Sequence, residues 1–421
     1  MELHGKKLLI LAGSDVHCKV VEAAKELGIY TIVTDYLPDS PAKKIADESL
    51  MFSITDIDGI VEYCKSNPVD GVLNFCNDTA QMPYQQICSR LGLPCYCTEQ
   101  QVKILSNKNL FKKTCINYGV DVIPQYSETD LYNGTIEYPV IVKPVDSRGS
   151  RGVSRCNTAE ELVSALQLAE SESKTGHAII EKNMYGKQDF TMTYFFVDGT
   201  PYLLRAGDRM LGLPEYGLDR QCSCLIAPSK HLQMYLDSVD QRVKNMLINL
   251  GIKNGPVFMQ GFVDGNTVRV YDPGIRFPGG DYERVFKNAI GTDIMKAMIH
   301  FAITGRVDID TSSLQSGFML NGLCSIQLDL DARPGHIARY DGLDTVRGFP
   351  EVIYCSQKAF PGDQIPASGD VKQRIGEVGI LVTNQMDVVF NSIKKVLQTV
   401  KIEDTDGNDM LLHQLNPEYF T

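Results

Sequence analysis

The sequence lacks an excess of positive charge: 41 Lys and Arg stand against 52 Asp and Glu, a formal net charge of −11. Broad nucleic-acid binding rests on cations that neutralise phosphates, so no nucleic-acid partner is expected. Long apolar runs are missing too. Leu8–Ala12 is too short for a signal-sequence core or a membrane span, so no membrane partner is expected either. The 12 cysteines show no C-x-x-C spacing. Two C-x-C pairs, Cys95/Cys97 and Cys222/Cys224, have no histidine at a zinc-ligand spacing. Reduced, mostly buried thiols in a cytoplasmic protein are the reading this supports. No G-x-G-x-x-G occurs, which weakens a dinucleotide role, and no Gly-Lys-Ser/Thr closes a glycine loop, which excludes a Walker loop. There is no biotinyl-acceptor sequence (Ala/Val-Met-Lys-Met), no internal repeat and no long low-complexity segment.

What is present is a β-rich run that ends in a lysine and passes at once into glycines: Val140-Ile141-Val142-Lys143-Pro144, then Gly149-Ser150-Arg151-Gly152. Val140 to Val142 reads as a buried strand. Lys143 at its end can point into a cleft. Gly149, Ser150 and Gly152 let the backbone approach a bulky anion and turn N–H groups toward it. A lysine, amide donors and a hydroxyl together suit a nucleoside triphosphate. With so acidic a chain, local cations such as Lys143, Arg148 and Arg151 serve a small anion.

Along the chain, residues 1–100 alternate strand and helix signals. Strands are expected at 7–11, 31–34 and 69–75, with helices at 16–27, 57–66 and 77–91. That spacing predicts a parallel, Rossmann-like sheet with helices on both faces. Ser14, Asp35, Asn74, Asn77 and Asp78 fall near its C-terminal strand ends, where such sheets bind ligands. An α+β block runs from 101 to 305. It has one helix over 103–118, strands at 138–142 and 178–182 with a helix at 158–171 between them, and two hairpins. The hairpins turn at Asp198-Gly199 and Asp264-Gly265-Asn266, with one helix over 230–250 between them. Residues 306–421 hold strands near 322–329 and 351–355 and a helix over 383–400.

The order strand-Lys-Pro-x-Asp-x-x-Gly-Ser-x-Gly-Val resembles the ATP-grasp superfamily of ATP-dependent carboxylate–amine ligases. The branch it is most similar to holds L-amino acid ligases, carbamoyl-phosphate-synthase-like proteins and purine-biosynthesis ligases. The resemblance makes 1–100 a pre-ATP-grasp domain, 101–305 the ATP-grasp domain and 306–421 a biotin-carboxylase-like subdomain. It implies ATP as cofactor, with Mg2+, or Mn2+ in its place. Lys108 and Lys143 then bind phosphates. Ile179-Ile180-Glu181-Lys182-Asn183-Met184 resembles the adenine hinge, with Glu181 and the backbone of Lys182 and Met184 on the base edge. The family's ribose-binding glutamate is replaced by Gln188. Metal ligands fall on the second hairpin. With a three-residue loop Val263 faces Thr267, Gln260 faces Val270, and Asp272 is the diagonal neighbour of Gln260, about 7–8 Å away at the backbone. The family's Glu-x-Asn-Pro-Arg reads Asp272-Pro273-Gly274-Ile275-Arg276 here, so the acid is shorter and the asparagine is missing.

Arg276 is the expected catalytic residue together with Lys143, because two anions must be brought together when a phosphoryl group meets a carboxylate. Lys143→Ala is expected to abolish turnover with the fold intact. Arg205, Asp208 and Arg209 are expected to line the acceptor side. The implied reaction is amide or peptide bond formation from a small-molecule carboxylate and an amine through an acyl phosphate, by a homodimer. Two alternatives stand beside it: a bicarbonate-dependent carboxylase or carbamoyl-phosphate-type enzyme, and a catalytically degenerate ATP sensor.

Overall fold

The computed structural model describes residues 3–146, 152–219, 221–369, 371–413 and 417–420. Gly149 and Ser150, with Arg148 and Arg151, lie outside the described residues. No described helix is long and apolar enough to cross a membrane.

The front of the chain forms a four-stranded parallel sheet in the order Glu48–Leu50, Tyr30–Thr34, Lys7–Leu11, Gly71–Leu73. Helices Asp15–Glu26 and Ile57–Ser66 lie between the strands, and Gln81–Leu91 follows the last of them. The short helix Pro41–Ile45 and the edge strand Glu48–Leu50 were not anticipated. At five and three residues they are too short for a periodicity to show.

Two antiparallel sheets follow. The smaller is ordered Gln125–Tyr126, Ala178–Lys182, Val140–Pro144, Ser154–Cys156. Helix Ala159–Ser171 covers it, and a separate core of Val140, Val142, Leu162, Ala165, Ala169 and Ile180 holds the two together. The larger sheet has eight strands, in the order Thr267–Gly274, Gly255–Asp264, Asp189–Val197, Thr200–Leu211, Cys222–Ala227, Leu323–Asp331, Arg374–Thr383, Val352–Gln357. Hydrogen bonding between Cys222–Ala227 and Leu323–Asp331 carries this sheet unbroken from the middle of the chain into its last third. Asp189–Val197 is buried at all nine positions. A strand inside a sheet covered on both faces shows no alternation.

Two helices expected as continuous are broken. The run over 103–118 is two helices, Glu99–Ser106 and Lys108–Asn117. Asn107 between them is extended (φ −108°, ψ 116°), and its side chain accepts from the Leu110 N–H at 3.0 Å. An asparagine that caps a helix N-terminus competes with continuing the helix before it. The break makes Lys108 the first residue of a new helix. The run over 230–250 likewise divides into Leu232–Ser238 and Asp240–Asn249 at Val239.

The hairpin register also differs from expectation. Asp264 pairs with Thr267 across a two-residue loop, and the register shifts between Gln260 and Gly261. Tyr271 is the extra residue of that bulge. Gln260 and Asp272 therefore stand directly opposite each other rather than diagonally. Directly opposed residues share a sheet face and are closer than diagonal ones.

Candidate active site

The two antiparallel sheets face each other across a cleft of about 1100 Å³. The smaller sheet lends Lys143 and the hinge from Glu181 to Gln188, and the larger one lends Arg209, Gln260 and Asp272. Lys108 reaches the same space from its helix start, and Asp78 from the front domain.

Lys143 lies at the end of its strand with its Nζ 2.6 Å from Glu181 Oε2 and 5.8 Å from the centre of the Tyr271 ring. Glu181 is buried and also ion-pairs with Lys112 through Oε1. Lys112 in turn donates to the Ile123 carbonyl at 2.9 Å. Burial alone would raise the Glu181 pKa, but the two ammonium groups outweigh it and hold it below its ordinary value. The carboxylate of Glu181 thus serves the lysines, not a base edge as the sequence led one to expect. At the hinge, the Lys182 and Asn183 N–H groups donate to the Pro124 and Pro139 carbonyls. The Met184 N–H has no such partner among the described residues and remains for a ligand.

Gln188 donates through Nε2 to the Asp189 and Arg209 carbonyls at 2.8 and 2.9 Å. That fixes its amide and leaves Oε1 as an acceptor. Gly152 has φ +70°, and a Cβ there would meet Pro144 and Glu172. Its need for glycine is therefore local packing and backbone conformation.

Beneath the Gln260–Asp272 pair lies a buried network. Tyr271 Oη is 3.1 Å from Gln260 Oε1 and 3.0 Å from Asp189 Oδ2, and Arg209 Nη1 donates to both Tyr271 and Asp189, at 3.0 and 2.8 Å. Burial raises the Asp189 pKa despite Arg209, and its Oδ1 has no hydrogen-bond partner among the described residues. Burial also raises the pKa of Asp272, with Lys108 and Lys143 opposing it. The Lys108 ammonium is pushed down by burial, with Asp272 opposing. This is a site in which cations and carboxylates wait for further charge.

An amide oxygen and a carboxylate on one sheet face fit a hard divalent cation whose other ligands are phosphate and water. The family's additional asparagine has no room here. A Cβ on Gly274 would collide with the Phe258 ring, and that ring carries the Arg276 guanidinium at 4.7 Å. Among the described residues no group of three or more His, Cys, Asp or Glu is arranged to hold a metal.

Arg276 is clamped. Its Nε and Nη2 donate to the two carboxylate oxygens of Asp78 at 2.5 and 2.6 Å, and Nη1 donates to the Phe277 carbonyl at 2.7 Å. The other front-domain candidates stabilise turns instead: Asp35 accepts from the Gly13 and Leu37 N–H groups, and Ser14 bonds His17. Of the expected acceptor-side residues only Arg209 lines the cleft. Arg205 is buried over the Tyr282 ring at 4.4 Å. Asp208, on the opposite sheet face, holds Ser229 and Tyr419. The neighbours of the site that the sequence did not bring forward are Lys112 and Tyr271. Lys112 was signalled by its place one turn after Lys108, while the Tyr271 contact depends on a bulge that has no sequence code.

A model of the ATP-grasp domain matches residues 136–275. The chain contains an ATP-grasp domain. A formate-dependent phosphoribosylglycinamide formyltransferase from Prochlorococcus marinus (strain NATL1A) is 26% identical over 328 residues, 73% of this chain and 82% of that protein. The solved L-amino acid ligase from Bacillus licheniformis superposes with a TM-score of 0.78 at 19% identity, over 96% of this chain and 99% of that one. The biotin carboxylase domain dimer of Hydrogenobacter thermophilus 2-oxoglutarate carboxylase, solved with MgADP and bicarbonate, gives 0.74 at 20% identity, over 97% and 91%. At these identities the solved structures establish the ATP-grasp fold of this chain. The relatives are ATP-grasp ligases and carboxylases, which sets the coarse class.

Proposed function

We propose that this protein is an ATP- and Mg2+-dependent ligase that phosphorylates a small-molecule carboxylate and joins the acyl phosphate to an amine, releasing ADP and phosphate. The observation that carries the reading is the convergence of Lys108, Lys143 and the Gln260–Asp272 pair on one cleft; Arg276 stands behind that lining, clamped to Asp78, which does line the cleft. In this reading the two lysines draw phosphate oxygens into register. Gln260 and Asp272 would hold Mg2+, which would supply charge neutralisation at the phosphates. Arg276 offsets repulsion between the γ-phosphoryl group and the incoming carboxylate. The Met184 N–H and Gln188 Oε1 hold the base and ribose ends.

The formate-dependent relative supports a carboxylate donor and an amine acceptor, since formate is a carboxylate. A homodimer belongs to the reading because the Hydrogenobacter domain is a dimer; light scattering at the mass of one chain would remove that part.

The test is phosphate release from Mg-ATP across amino acids, dipeptides, hydroxy acids, sugar acids, formate and bicarbonate. The ligase reading requires ADP and phosphate to appear only with a cognate carboxylate. Release with bicarbonate alone would replace it by carboxylation. ATP binding without release on any member would replace it by the sensor reading, for which Gly274 is the motive.

A further inference from the structure

The front of the chain grips the segment that carries Arg276 at three points. Asp78 takes the Nε and Nη2 edge of the guanidinium. The Phe277 N–H donates to the Phe75 carbonyl at 3.3 Å, and the two rings lie 5.1 Å apart. Lys19, on the first helix, donates to the Gly280 carbonyl at 2.9 Å and pairs with Asp281 and Glu283 at 2.6 and 2.5 Å. The segment from Arg276 to Glu283 is thus laid out on the front domain.

Asp78 is itself held. It sits in the turn after strand Gly71–Leu73, where Asn74 Nδ2 donates to the Asn77 carbonyl at 2.9 Å and to Gln81 Oε1 at 2.7 Å. Gln81 Nε2 then donates to Cys97 Sγ at 3.2 Å. A turn braced this way presents a carboxylate in a fixed direction.

A guanidinium has five N–H groups. Among the described residues Asp78 and Phe277 engage three, and one remains on each terminal nitrogen. Two parallel N–H groups are what a phosphoryl or carboxylate group needs for a two-point contact. The Phe258 ring beneath fixes the plane.

We propose that Asp78 is a positioning residue of the reaction: it orients Arg276 so that the free edge of the guanidinium meets the transferring phosphoryl group. The front domain is then a template for the catalytic arginine. This rests on the ligase reading above.

The test is a double-mutant cycle with Asp78→Asn, Arg276→Lys and the pair, assayed with a carboxylate that the wild-type protein turns over. Asp78→Asn lowers kcat by about 10- to 100-fold, the order expected for misorienting a catalytic group, with the KM for ATP within about twofold. Asp78→Glu recovers part of that loss. The double variant is no slower than the slower single one, because both remove one function. A purely structural staple would lower the melting temperature and leave kcat unchanged. An unchanged kcat in Asp78→Asn, or losses that multiply in the pair, overturns the proposal. If no carboxylate is turned over by the wild-type protein, the ligase reading has failed, and the clamp is read from protein carrying 15N-arginine. The Arg276 Nε–H is then protected from exchange in the wild type and unprotected in Asp78→Asn; equal protection overturns the clamp.

Discussion

Replacing Lys143 by methionine keeps the length of the side chain and removes its charge, and two consequences can be separated. Glu181 is buried and ion-paired to Lys143 and Lys112. Stripping a buried ion of its sole partner costs about 3–5 kcal/mol. Lys112 remains here, so the loss for Lys143→Met is about 2 kcal/mol, a destabilisation that the sequence alone did not foretell. The sign of its pH dependence follows from Glu181. In the wild type its pKa is held below the ordinary 4.5, so its contribution is present above that value and is lost as pH falls through the lowered one. In the variant, burial is opposed by Lys112 alone and the pKa rises. A carboxylate with a raised pKa loses stability as pH rises through it. The deficit of the variant is therefore greatest at neutral pH and shrinks on acidification. Urea unfolding at pH 7 and pH 5 measures it. Adding Glu181→Gln recovers most of the stability and none of the turnover. Equal stability of variant and wild type at pH 7, or a deficit that does not change with pH, would refute the account of this ion triad.

Three further outcomes are expected. Arg276→Ala reduces turnover by more than it weakens ATP binding, read from kcat against calorimetric affinity; loss of ATP affinity alone would remove its assigned role. Gly274→Asn, which restores the family residue, destabilises by about 1–3 kcal/mol through overpacking against Phe258. Phe258→Leu in the same chain relieves that penalty in chemical denaturation. His17 is buried, its Nε2 has no partner, and burial holds its pKa down to about 4. A base with a lowered pKa binds more protons when unfolded, so stability rises with pH from about 4 to 6.5, by about 3 kcal/mol at roughly 1.4 kcal/mol per unit. His17→Gln flattens that slope.

Three of the four front strands were legible because each is a short apolar run and glycines stop the helices, as Gly28 and Gly92 do with φ +71° and +66°. Both hairpins were legible from their turns, and Asp198-Gly199 has the paired positive φ that its sequence demands. The failures share a cause. Asn107 reads as an ordinary helix residue although its side chain caps the helix that follows, and the bulge at Tyr271 leaves the alternation of polar and apolar residues unchanged up to that point. Lys108, Lys143, Gln260 and Asp272 were named from the order of motifs, and the structure brings them to one cleft. What order cannot convey is pairing across the chain. Asp78 is 198 residues from Arg276. Nothing in either segment announces the other. The missing asparagine was visible, but its reason was not until the Phe258 ring was seen to fill the space.

The central claim is that a carboxylate is activated as an acyl phosphate, and oxygen transfer tests it most directly. The cognate carboxylate, labelled with 18O, is incubated with the protein, Mg-ATP and amine. Attack of the carboxylate on the γ-phosphorus leaves one of its oxygens bridging, and displacement by the amine sends that oxygen out with phosphate. The account predicts one 18O atom in each released phosphate and none in ADP. Label in AMP, or unlabelled phosphate released alongside the amide, would contradict it.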